Sequence, residues 1–429
     1  MLGKHLHLDW AAMTTHLTLL ANTLSLAFAI VLNPCHGQSV PESTEDDWAN
    51  TGRVDSTAFE TKPVVLWKYI GESTLWLGGI AIHDGVLAAI DRTENQVIGI
   101  DTETGERTWA VDVGDVFSFG MGVKMTCNSD FDAVIVGCDT GLFALDRKTG
   151  EFLWKFEPDC GFGGPTIADD LVVAGGSDGN VYAIKLKTGE EKWKHNYLTD
   201  APEDPPGFVG EQARFPGRLA RPMAASTDGE TVFLSIFDQC RTLAIDLDSG
   251  KRKWAFQTRG WTRSRPTITD EAVFVASQDK RFYAVEKETG KMIWDLESKK
   301  WNSTSAAVAD SEVVFGSNDG YLYCIARNMG GSLWEFDLSL GGRHKTGIYS
   351  RPLIVGGDTV YAASVNGTMH CINLDTGESE WNFKPSADSG ITGDLHYDNG
   401  KLFLYTRKDD GRGEAAIFAI GQSPEGDDK

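Results

Sequence analysis

The chain has 429 residues, of which 24% are charged and 10% aromatic, with 47 Gly, 13 Trp and 14 Pro. That much apolar and aromatic character excludes a disordered chain, and the lack of a 20-residue apolar span beyond the N-terminus excludes a multipass helical membrane protein. Forty basic against 62 acidic residues leave a net −22, which argues against a general binder of nucleic acid or anionic lipid.

The first element reads as an export signal. Leu17–Leu32 is an apolar run behind Lys4 and a second possible start at Met13, and Asn33-Pro34-Cys35-His36-Gly37 follows it. A breaker with small residues at Cys35 and Gly37 places cleavage near Gly37. The alternative is an uncleaved anchor helix; lipid attachment at Cys35 is disfavoured by Asn33 and Pro34 before it. Residues 1–37 are therefore expected as a signal peptide and the mature chain as an exported protein of the periplasm or cell envelope. It would meet a membrane only through an uncleaved signal or a partner. Residues 38–60 carry six acids and one Arg, and 422–429 three acids and one Lys, leaving −15 for 61–421. Both flanks read as flexible, solvated segments.

From residue 61 a repeat of about 45 residues organises the chain. Ala144-Leu145-Asp146-Arg147-Lys148-Thr149-Gly150-Glu151-Phe152-Leu153-Trp154 returns as Ala244, Asp246, Ser249, Gly250 and Trp254 at the same spacing. Weaker copies end on Trp109, Trp193, Trp294, Trp334 and Trp381. Each unit reads as four short strands. In the third copy, one starts over Pro165–Ala168, and Leu171–Gly175, Asn180–Lys185 and Glu191–His195 follow. Asp-Asp, Asp-Gly and Thr-Gly pairs between apolar β-branched runs are hairpin chemistry. A four-stranded sheet with two apolar faces buries both only by stacking between two others, and a ring of such sheets leaves only short edges. The recurring Trp suits the widening gap near the rim. Trp67 has no unit before it, and Ile417-Phe418-Ala419-Ile420-Gly421 has no Trp after it. The two ends then complete one sheet. The predicted fold is all-β, an eight-bladed, monomeric β-propeller over 61–421 closed by its N-terminal strand, with rim indoles at Trp67, Trp109, Trp154, Trp193, Trp254, Trp294, Trp334 and Trp381.

The Ala-x-Asp-x-x-x-Gly-x-x-x-Trp pattern resembles the tryptophan-docking motif of the pyrroloquinoline-quinone (PQQ) propeller superfamily over 64–421. That superfamily includes quinoprotein alcohol dehydrogenases and non-catalytic relatives such as BamB-type outer-membrane protein assembly factors. The resemblance implies two functional classes. A quinoprotein would hold PQQ over a Trp and under adjacent cysteines, with Ca²⁺ and an Asp base. Six Cys follow the signal without an adjacent pair, CxxC or haem motif, and Cys324 and Cys371 replace a repeat Ala, so they read as small buried thiols. No cofactor is therefore expected, PQQ being the one that the resemblance leaves open, and no catalytic or metal residue is assigned. Gly175-Gly176-Ser177-Asp178-Gly179 matches a nucleophile pattern but falls at a hairpin turn, and Gly316–Gly320 repeats it. Asn128-x-Asp130-x-Asp132 resembles half a calcium loop, with Ala133 where Gly is needed.

One feature goes beyond the repeat. The segments joining each outer strand to the next inner strand should emerge on one face, near the axis. Gln212–Pro222 carries Arg214, Arg218 and Arg221; Ala255–Pro266 carries Arg259, Arg263 and Arg265; Leu338–Pro352 carries Arg343, His344, Lys345 and Arg351. None of the three contains an acid, in a chain at −22. Phe215, Trp261, Trp301 and Tyr349 lie among them, and the connector before Arg221 is long and Pro-rich. Two readings stand. The cations pair with turn carboxylates such as Asp238 and Asp279, or they form a recognition surface for an acidic envelope protein, with Arg forks and aromatic platforms. A carbohydrate or small molecule on Trp261 and Trp301 is a further alternative.

Overall fold

The structure is a computed structural model, in which the chain is divided into two units between residues 39 and 40. The structure describes residues 52–70, 77–91, 94–114, 122–125, 131–196, 222–338, 347, 350–387, 389–408 and 415–423, all within the second unit. The expected signal, residues 38–51 of the expected linker and 424–429 of the tail lie outside them.

The described residues form eight sheets built on antiparallel strands, blades 1 to 8, whose strands lie within 77–112, 122–156, 166–196, 222–257, 267–297, 307–337, 353–383 and, with 64–70, 389–421. The third blade has strands Thr166–Ala168, Leu171–Gly175, Asn180–Lys185 and Glu191–Asn196, ordered from the axis outward. Burial falls along the same direction. Middle strands such as Ala133–Cys138 are buried on both faces, which is why they are continuous apolar runs; outer strands such as Phe152–Phe156 alternate between buried and exposed positions. Eight apolar clusters each join two neighbouring blades. One of them packs Ile98 and Ile100 of blade 1 against Phe403 and Ile417 of blade 8. Val64–Ile70 pairs antiparallel with Ala416–Gly421, Trp67 opposite Ala419, as the outer strand of blade 8.

The repeat motif acts across the seams. Asp146 Oδ1 accepts the N–H groups of Lys148 and Thr149 at 3.0 and 2.8 Å and so folds the turn before an outer strand. Gly150 then takes φ +75°, and a Cβ there would lie 2.7 Å from the Trp109 indole of the preceding blade. Trp109 donates its Nε1–H to Arg147 O at 2.8 Å. The same donor–carbonyl pairing joins Trp67 to Thr102, Trp154 to Leu186, Trp193 to Leu247, Trp254 to Lys287, Trp294 to Arg327 and Trp334 to Leu374, at 2.6–2.9 Å. The small repeat residue faces the Trp of its own blade: Ala144 opposite Trp154, Cys324 opposite Trp334, Cys371 opposite Trp381. These cysteines are free and fully buried, and burial pushes the Cys324 thiol up to about 12.

Trp381 is the exception. The turn that would receive it belongs to blade 8, where the chain ends supply third and fourth strands separately. Its buried Nε1 has no hydrogen-bond partner among the described residues. Phe59 fills that place, with its ring centroid 6.4 Å from Trp381, 5.5 Å from Tyr361 and 5.8 Å from Tyr397. Residues 52–59, expected as part of a solvated linker, are thus packed onto the ring. The pattern of acids hides one buried Phe and one buried Gly.

Candidate interaction surface on the connector face

Connectors from outer to inner strands share one face with the second hairpin turn of each blade, because the four strands of a blade alternate in direction. Two adjacent connectors, 258–266 and 298–306, are held alike. Gln278 N–H donates to Trp261 O at 2.9 Å, and Asn318 N–H to Trp301 O at 3.1 Å. The Asp279 carboxylate accepts Arg259 N–H at 2.9 Å, and that of Asp319 accepts Lys299 N–H at 3.0 Å. Tyr283 and Tyr323 donate their hydroxyls to these same carboxylates at 2.7 and 2.8 Å. Burial, together with those acceptors, raises both tyrosine pKa values well above the phenol range. Asp279 is therefore engaged by main-chain N–H groups and a phenol. That is a different role from neutralising an arginine side chain, the first of the two readings of this face.

Arg259 and Arg263 are exposed and make no ion pair among the described residues. The Arg263 guanidinium lies 5.0 Å over the Phe237 ring, which packs on Trp261 with centroids 4.7 Å apart. Trp301 is 49% exposed, the most open of the aromatic side chains on this ledge. Lys299 stands 4.0 Å over Tyr321 and 3.5 Å from Glu335, and Lys300 is exposed beside it. Sequence reasoning missed both lysines. The signal was present, since Lys299-Lys300-Trp301 occupies the same offset as Arg259-Gly260-Trp261.

Arg265 and Arg351 stand apart from this ledge. Each stands two residues before an innermost strand, with a Pro between, and both are half-buried at the mouth of the axial channel. There the fold adds an acid that the connector sequences lack. Asp394 lies in the break between Ser389–Ile391 and His396–Asp398 of blade 8, and its carboxylate accepts Arg351 N–H at 3.1 Å. Crowding by protein opposes its ionisation. The charges of Arg351, His396 and Arg265 outweigh that and hold its pKa below the usual carboxylate range. A cavity of about 330 Å³ continues down the channel, lined among others by Arg53, Asp55, Arg351, His396, Tyr397 and Asp398. Arg214, Arg218, Arg221, Arg343, His344 and Lys345, with Phe215 and Tyr349, lie outside the described residues. Of the expected arc the structure thus places Arg259, Trp261, Arg263 and Trp301 on one ledge, and Arg265 with Arg351 at the channel.

The described residues do not fit a quinone–metal site. Cys138, Cys160, Cys240, Cys324 and Cys371 are free and sit on different strands or connectors. No cluster of three or more His, Cys, Asp or Glu suited to a metal occurs among the described residues. Asp132, one of the calcium-like acids, binds the buried Arg147 guanidinium, which also reaches Asp84 at 2.9 Å and the His83 and Asp84 carbonyls. Ser177 lies in the hairpin turn between Leu171–Gly175 and Asn180–Lys185, and its Oγ accepts Gly161 N–H at 3.1 Å.

A family model described as outer membrane protein assembly factor BamB matches residues 49–205 and 209–420. The chain belongs to this family. Among solved structures, BamB from Moraxella catarrhalis is 18% identical, with a TM-score of 0.63 over 85% of this chain and 99% of that one. The same ring carries other chemistry in further neighbours. A europium-containing methanol dehydrogenase is 14% identical, with a TM-score of 0.67 over 87% of this chain and 96% of that one. Quinohemoprotein alcohol dehydrogenase from Comamonas testosteroni is also 14% identical, with a TM-score of 0.68 over 93% of this chain and 83% of that one. At these identities the BamB structure and the dehydrogenases establish a shared fold alone. No curated protein matches the chain. No helix among the described residues is long and apolar enough to cross a membrane.

Proposed function

We propose that this BamB-family chain is an exported, non-catalytic propeller that acts as a protein-interaction scaffold in the cell envelope, with its connector face receiving an acidic segment of a partner. The observation that carries this reading is the ledge over blades 5 and 6. Arg259, Arg263 and Lys300 are exposed around Trp261 and Trp301, while the neighbouring carboxylates of Asp279 and Asp319 are bonded to the main chain and to Tyr hydroxyls. Guanidinium groups beside aromatic platforms give both forked hydrogen bonding to carboxylates and a desolvated contact. The net negative charge elsewhere does not oppose this, because charges more than a few Debye lengths apart, each about 8 Å at physiological salt, are screened from one another.

The reading selects which cations to test. Reversing Arg265 or Arg351 would disturb Asp394 and the channel mouth, mixing a fold effect with a binding effect. Arg259→Glu, Arg263→Glu and Lys300→Glu together are expected to abolish capture of envelope partners while leaving the thermal midpoint unchanged. Undiminished capture by this triple variant rejects the surface. The quinoprotein alternative has its own readout: a thermal shift and dye reduction on adding PQQ and Ca²⁺ would replace the scaffold reading by an enzymatic one.

A further inference from the structure

Arg53–Val54 forms a fifth strand in blade 7, on the channel side of Leu353–Val355 and parallel to it, with Arg53 opposite Ile354 and Val54 opposite Val355. Among the described residues no other blade has such an addition. Ring closure does not require it, because Val64–Ile70 completes blade 8 independently. What holds the segment resembles recognition of a ligand more than continuation of a sheet.

The contacts are few and specific. Ile354 and Gly356 donate their N–H groups to Gly52 O at 2.8 Å and Val54 O at 3.1 Å. Gly52 has φ +62°, and a Cβ there would lie 3.0 Å from the Ala307 Cβ and 3.1 Å from the Pro352 carbonyl, so only Gly enters between blades 6 and 7. Arg53 pairs with Asp310, in the first hairpin turn of blade 6, at 2.6 Å. Tyr397 of blade 8 donates to Thr57 O, and Phe59 N–H to Tyr361 Oη, each at 2.6 Å. Main-chain pairing at an edge, with separate subsites for a small, a basic and an aromatic residue, is the logic of strand-addition sites. The segment also has solvent along its free side. Asp55, Ser56 and Thr57 are exposed, and the channel cavity runs beside residues 52–56.

We infer that the channel edge of blade 7 is a strand-addition site for an extended segment of the pattern Gly-basic-aliphatic-x4-aromatic. Residues 52–59 fill it in cis, and a partner chain bearing that pattern fills it in trans. Two ladder residues and three anchors can open without the ring, which stays closed by the strand at 64–70, at a cost set mainly by withdrawing Phe59 from its seam. The tethered copy competes at millimolar effective concentration, so it holds the site shut until a partner or a weakened cis segment releases it.

The probe is a fluorescein-labelled synthetic peptide of residues 50–61, titrated into the full chain and followed by anisotropy. Gly52→Val with Phe59→Ala in the protein weakens the cis segment and is expected to tighten peptide binding at least tenfold over the unmodified chain. Adding Asp310→Lys to that protein should abolish binding, and a peptide with Arg53→Glu should restore it. Equal binding to both proteins, or indifference to the charge exchange, overturns the site. Should the double variant fail to fold, amide exchange in the unmodified chain decides. Ile354 and Gly356 are expected to exchange at least tenfold faster than Tyr361 and Cys371 on the neighbouring strands, and the unlabelled peptide in excess should slow them. A single common rate for all four means that the segment opens only with the whole fold, and the inference fails.

Discussion

Seven seams of this ring and the eighth solve one problem in different ways. At Trp67, Trp109, Trp154, Trp193, Trp254, Trp294 and Trp334 the indole lies on a left-handed Gly of the next blade and donates to a carbonyl there. At the seam between blades 7 and 8 the receiving turn is missing, and Phe59, delivered from the N-terminal segment, packs on Trp381 and Tyr361 instead. A directional contact made seven times within the repeat is replaced once by an apolar contact from outside it. Next to the blade where this ring joins its own ends, the seam borrows a residue from a segment the repeat does not encode.

The comparison breaks most visibly when closure itself is removed. Deleting residues 61–69 should expose the edge of Ala416–Gly421 and strip Trp67 from blade 1, and loss of a single cooperative thermal transition is the expected outcome. Phe59→Ala should cost about 3–5 kcal/mol in urea unfolding if Phe59 is the core of its seam, and well under about 1 kcal/mol if it only lies on the surface.

The docked seam between blades 6 and 7 carries a liability of its own. His370 is fully buried against Phe336, neither ring nitrogen has a hydrogen-bond partner among the described residues, and burial lowers its pKa to about 4. Its folded pKa lies below that of the unfolded chain, so the unfolded state takes up the proton first. Stability should be independent of this group above pH ~6.5 and fall by up to about 3 kcal/mol as the pH drops towards 4. His370→Leu should flatten that part of the profile, and an unchanged slope would place the acid sensitivity elsewhere. The smallest effect separates the two kinds of seam directly. Trp154→Phe orphans the Leu186 carbonyl and should cost about 1–2 kcal/mol more than Trp381→Phe, which surrenders no hydrogen bond made among the described residues.

The sequence was most readable where it repeats. The strand boundaries of blade 3, the pairing of the two chain ends and the positions of all eight indoles follow from spacing, because each copy meets the same local demands of turn, seam and rim. What repeats nowhere was hidden. A two-residue parallel strand has no periodicity to betray it, and the acids around Phe59 pointed to a solvated linker. The candidate surface was half legible. Cation-rich connectors stood out, but Asp394, which accepts the Arg351 main-chain N–H, comes from a different blade and marks the channel mouth as a setting apart from the exposed ledge. Lys299 and Lys300 required laying one connector against the next.

A double-mutant cycle on Phe59→Leu and Trp381→Leu, read by equilibrium urea unfolding of the full chain, tests the central claim most directly. If the N-terminal segment holds the last seam, the two substitutions should be coupled by roughly 1 kcal/mol. Losses that add to within ~0.3 kcal/mol would contradict it, leaving residues 52–59 as a passive strap and the seam to the blades alone.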